Sequence, residues 1–108
     1  MDMLYYIYIG SNRVTIDHLS KITGGMFMAV SSCNKAAKVI DGIRERYNTS
    51  ILYEESTPQK DSQNITFLHK RFPRVYIILI TEGLQKEHRK LYLQAGVNNT
   101  RSEERRVG

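Results

Sequence analysis

The segment Ile51-Leu52-Tyr53-Glu54-Glu55-Ser56-Thr57-Pro58 decides how this chain is read. Ile51-Leu52-Tyr53 is a short run of bulky apolar residues preceded by the polar Asn48-Thr49-Ser50. It predicts a buried strand that ends at Glu54 and opens into a loop. In open α/β sheets, ligands and chemistry gather at the carboxyl ends of strands. A carboxylate placed there is either a working acid or the remnant of one, which makes Glu54 the first candidate site residue.

Working outward, the same grammar recurs on both sides. Upstream, Leu4–Ile9 (LYYIYI) predicts a strand buried on both faces, since it is dense in β-formers without clean alternation. Gly10-Ser11-Asn12 turns the chain, and Asn12 or Thr15 can cap a helix with Ile16, Leu19 and Ile22 along one side, ended by Gly24-Gly25. Met26–Val30 predicts a second strand. Ser31, Ser32 and Asn34 offer caps for a helix carrying Ala36, Ile40, Ile43 and Tyr47 at helical spacing. Downstream, a helix follows Pro58 with Ile65, Leu68 and Phe72 on one face and stops at Pro73. Val75–Ile80 predicts the fourth strand. A last helix carries Leu84, His88, Leu91, Tyr92 and Ala95 and ends at Gly96. Four consecutive βα units predict an α/β fold, a doubly wound parallel sheet with helices on both faces.

Composition narrows the function classes. The 108 residues suffice for one domain, with 41% hydrophobic and 25% charged residues, the balance of a soluble globule. The single cysteine, Cys33, excludes an internal disulfide and a cysteine-built zinc site and favours a reducing, cytoplasmic setting. No segment approaches the roughly 20 apolar residues of a membrane span. The net charge of +5 is scattered over Arg44, Arg46, His69-Lys70-Arg71 and Lys86–Lys90 among acids. It reads as solvated surface charge, not a nucleic-acid groove. No nucleophile–base pair and no metal-ligand spacing can be read out, so no enzymatic activity is expected of this domain.

Arg101–Gly108 (RSEERRVG) is unlike the rest and matches, residue for residue, the translation of a common short-read sequencing adapter. The expectation is that residues 101–108 are not native and that a natural chain continues past Thr100. Those eight residues hold three arginines and two glutamates, so without them the net charge is +4. The domain is then 1–100, truncated after the fourth βα unit, with Val75–Ile80 left as an exposed apolar edge prone to pairing with other chains.

Taken together, these pieces resemble the receiver (CheY-like, flavodoxin-like) domain of bacterial response regulators over residues 3–100. Glu54 falls at the phosphoacceptor position, with Pro58 at the proline four residues on. Asp61-Ser62 resembles the Asp-Gly of the following loop. Thr81 ends the fourth strand where the family has Thr or Ser, and Ala95-Gly96-Val97 resembles its Ala-Gly-Ala. The departures point away from phosphorylation. Gly10 and Ser11 stand where the family's magnesium-binding acids lie, the acceptor is a glutamate, and Thr100 falls at the switch aromatic.

Phosphoryl transfer to a carboxylate needs a cation to neutralise the moving group. Each carboxylate near a protein surface pulls on a unit charge with about 4 kcal/mol at about 4 Å before desolvation. Replacing two of them leaves magnesium binding weak or absent, so no cofactor is expected. The extra methylene of Glu54 displaces its oxygens by about an ångström, which disrupts near-attack geometry.

The resemblance implies a degenerate receiver, or pseudo-receiver, acting on a protein partner or a fused output domain, with a dimer as one arrangement. Glu54 would either present a permanent charge near Thr81 or be an idle strand-end carboxylate. Gly10, Ser11, Thr81 and Pro58 would line the pocket, and Leu84 and Tyr92 would supply a docking face. Three alternatives stand beside this reading. One is a genuine phosphoacceptor in a two-component phosphorelay. The second is the receiver-like N-terminal domain of a bacterial polysaccharide-initiating sugar transferase, which YIGSN, ILYE and TEGLQKEHRKLYLQAGVNNT resemble in style. The third is a nucleotide binder using Gly10-Ser11-Asn12.

Overall fold

In the computed structural model, which describes residues 3–102, nine elements alternate along the chain. They are β1 (Met3–Ile9), α1 (Arg13–Ile22), β2 (Phe27–Val30), α2 (Cys33–Ile43), β3 (Tyr47–Glu54), α3 (Pro58–Arg71), β4 (Tyr76–Thr81), α4 (Lys86–Ala95) and β5 (Asn99–Ser102). The strands form one sheet in the order β2-β1-β3-β4-β5, and every pairing is parallel. This order is that of the flavodoxin-like doubly wound sheet, whose ligand crevice lies at the carboxyl ends of β1 and β3.

Register explains the tyrosine-rich first strand. Side chains alternate between faces, so Ile7 and Ile9 point one way and Tyr6 and Tyr8 the other. Ile7, Ile51 and Ile77 stand in one row and Ile9, Tyr53 and Leu79 in the next. These rows pack against Ala36, Ala37 and Ile40 of α2, Ile65 and Leu68 of α3, and Tyr92 of α4. Each fully buried isoleucine contributes about 1.5–3 kcal/mol. The opposite face centres on Tyr8, Leu52 and Ile80, with Ile16 and Leu19 of α1 against them.

Local chemistry sets the helix starts. Asn12 Oδ1 accepts from the Thr15 amide at 3.1 Å, and Ser32 Oγ accepts from Lys35 at 3.2 Å, each a side-chain N-cap. Pro58 opens α3, where a missing N–H costs nothing. At the end of α4, Gly96 adopts φ 128°, and a Cβ there would come within 2.7 Å of the His69 ring and Cβ, so α3 and α4 meet across a bare backbone.

Two expectations are corrected. The chain does form a fifth strand: β5 runs beside β4 from the Ile78–Asn99 pair to the Thr81–Ser102 pair, so β4 is interior and not an exposed edge. Asn98 docks it, its amide donating to Ile77 O and its Oδ1 accepting from Ile77 N, both at 2.8 Å. The fold therefore continues past the fourth βα unit, and Arg101 and Ser102 belong to a strand whatever their origin. The rest of the adapter-like tail, 103–108, lies outside the described residues. Tyr47 is the second correction. It starts β3 instead of ending α2, and its ring meets that of Tyr5 at 5.3 Å between centroids.

Candidate functional site

The carboxyl ends of β1 and β3 converge on Glu54. Tyr8 lies opposite Leu52 in register, so Glu54, two residues further along, shares its face. The buried Tyr8 ring therefore reaches along the sheet, and its hydroxyl donates to Glu54 Oε1. The same carboxylate oxygen accepts from the Ser11 amide at 3.3 Å, and the Tyr8 hydroxyl accepts from the Asn12 amide at 3.3 Å. Gly10 is where these groups cross. A Cβ at this position would meet Glu54 Oε1 and lie 2.6 Å from the Tyr8 hydroxyl. The turn after β1 thus has no room for a side chain while Tyr8 and Glu54 hold their contact.

The next residue, Glu55, serves the other face. Its amide continues the ladder by donating to Ile80 O at 2.8 Å, which turns its side chain toward α4. Glu55 Oε1 accepts from the Thr81 hydroxyl, and Glu55 Oε2 accepts from the Tyr92 hydroxyl at 2.9 Å. Tyr92 also lies 3.2 Å from Asp61 Oδ2, so one phenolic proton is shared between two carboxylates. Asp61, only 2% exposed, accepts in addition from the Ser56 amide at 2.6 Å and the Tyr53 hydroxyl at 2.9 Å. Asn64 Nδ2 closes the network on Tyr53 at 2.9 Å. Burial, followed by the hydrogen bond to Glu55, holds the Tyr92 pKa well above that of an ordinary phenol. Burial acts the same way on Tyr53, partly opposed by Asn64. The neighbouring Cys33 thiol is pushed up to about 11 by burial and by the charge of Asp61.

Gly10, Ser11 and Glu54 are brought together as the sequence suggested. They line an open pocket of about 410 Å3 with Ser31, Glu55 and Ser56. Pro58 and Thr81 are not part of its lining: Pro58 starts α3, and Thr81 bonds Glu55, not Glu54. Asp61 sits in the first turn of α3, not in a loop. The expected docking pair is also corrected. Tyr92 is fully buried with its hydroxyl in the carboxylate network, and Leu84 packs against the core. Phe67 and Leu93 are the large exposed apolar side chains of α3 and α4. The residue that sequence reasoning missed is Glu55; its signal was the tandem Glu54-Glu55 at a strand end, where alternation sends the two to opposite faces.

A magnesium ion does not fit this donor set. Gly10 and Ser11 supply no carboxylate, and the Glu54 oxygen nearest them is already bonded by Tyr8 and Ser11. Among the described residues, no group of three or more His, Cys, Asp or Glu side chains is arranged to hold a metal.

No family model and no curated protein matches the chain, but solved structures do. A CheY-like protein (tadZ) from Pseudomonas aeruginosa superposes with a TM-score of 0.78 at 11% identity, over 97% of this chain and 90% of that one. An orphan response regulator of H. pylori gives 0.74 at 12% identity, over 97% and 86%. The chain has the receiver fold. A pilus assembly-related protein from Burkholderia pseudomallei gives 0.72 at 14%, over 94% and 78%. At such identities the likeness speaks for the receiver fold alone, and function must be argued from the site. No helix among the described residues is long and apolar enough to cross a membrane.

Proposed function

We propose that this chain is a regulatory, protein-binding receiver domain that does not take up a phosphoryl group, its carboxyl-end crevice being held in one state by its own glutamates. The observation that carries this reading is the meeting of the Tyr8 hydroxyl and the Glu54 carboxylate across Gly10. It fills the space a metal-binding acid would need and ties up the residue at the acceptor position. The Thr81–Glu55–Tyr92 contacts add a second constraint: a fixed carboxylate already engages the strand-end hydroxyl, so no incoming charge is required to draw it inward. The domain is not itself an enzyme on this reading. It acts in the cytoplasm on a partner protein or a fused output domain, the sugar transferase of the sequence resemblance among them.

Incubation with acetyl phosphate and Mg2+, followed by intact mass, tests the proposal. The expected result is an unchanged mass. The open pocket beside Glu54 and Glu55 favours the rival reading, a working phosphoacceptor; a gain of one phosphoryl group localised to Glu54 would establish it instead.

A further inference from the structure

At the opposite end of the sheet, the amino ends of β3 and β4 and the carboxyl ends of α2 and α3 enclose a second pocket of about 380 Å3. This lies within the range of small-ligand sites, roughly 300–1,000 Å3. Val75 and Tyr47 contribute apolar wall, and Arg44 and Arg74 contribute charge.

The charge is not balanced locally. Arg71 and Arg44 share Asp41, at 2.6 and 3.4 Å, and Arg74 has no ion-pair partner among the described residues. Glu45 and Arg46, in the intervening turn, add one charge of each sign. Three guanidiniums thus face one carboxylate. Phe72 lies under two of them, 5.8 Å from Arg44 and 5.4 Å from Arg71, which orders the Arg44 head group before any ligand arrives.

We propose that this pocket binds a small organic anion, its phosphate or carboxylate held by Arg44 and Arg74 and its compact apolar body against Tyr47 and Val75. Guanidinium recognition of such oxyanions is bidentate and geometrically selective. The site is independent of the crevice at Glu54 and stands or falls separately.

Titration of the 15N-labelled chain with phenyl phosphate, benzoate and inorganic phosphate tests it. Phenyl phosphate or benzoate should give saturable amide shifts at Tyr47, Thr49 and Val75, the tighter of the two identifying the head group, with inorganic phosphate weaker. Arg74→Glu should weaken binding by about tenfold or more. Arg13→Glu, the same charge change on α1, should leave it unaltered. The proposal is overturned if no probe gives saturable shifts at millimolar concentration, if the shifts survive Arg74→Glu, or if Arg13→Glu weakens them equally.

Discussion

Gly10 is held small by its neighbours, not by its backbone: it does not adopt a positive φ, and the constraint is the Tyr8–Glu54 contact beneath it. Gly10→Ala should therefore destabilise the domain by about 1–3 kcal/mol through overpacking. In a double-mutant cycle with Tyr8→Leu the two costs should be less than additive, because the second change removes the tyrosine part of the clash and frees Glu54 to shift. Urea denaturation measures both, and a neutral Gly10→Ala would count against the packed crevice. Glu55→Ala removes the acceptor of the Thr81 hydroxyl and leaves Tyr92 only its longer contact to Asp61, and it is expected to cost about 1–3 kcal/mol. At this scale Glu54 was legible because an acid closing an apolar run is conspicuous. Glu55 was not, because its role depends on which face the chain presents one residue beyond the strand, and that is set by the ladder bond to Ile80.

Apolar runs and helical periodicity made eight of the nine elements readable, since β1 to β4 are short runs dense in β-formers and the helices carry their apolar residues at spacings of three to four. β5 escaped because Asn99-Thr100-Arg101-Ser102 has little β-propensity. Its place is fixed by backbone pairing and by the Asn98 side chain, neither of which leaves a pattern in the sequence. Tyr47 was drawn to α2 because it stands four residues after Ile43, yet the ring of Tyr5 holds it at the start of β3. Asn98→Ala removes the acceptor for the Ile77 amide. It should lower stability by about 1–2 kcal/mol and speed hydrogen exchange at Ile77 and Leu79 more than at Ile51. Uniform protection across β3 and β4 in that variant would contradict the docking role.

For the molecule as a whole, the buried network beneath the crevice couples folding to alkaline pH. A thiol whose pKa rises on folding contributes stability that is fully present below its unfolded value of 9.0 and is lost as pH climbs through about 11. Tyr53 and Tyr92, shifted in the same direction, extend the loss further upward. The melting temperature should thus fall above pH 9, and Cys33→Ala should flatten the first part of that fall; an unchanged slope would remove Cys33 from the account. On the proposed function, the Tyr8–Glu54 and Thr81–Glu55 contacts keep a metal and a phosphoryl group from binding in the open crevice at the carboxyl ends of β1 and β3. Titration with beryllofluoride and Mg2+, followed by amide shifts at Gly10, Ser11, Glu55 and Thr81, tests it most directly. No saturable change is expected at these positions. Saturable shifts at all four, dependent on Mg2+ and lost in Glu54→Gln, would contradict it.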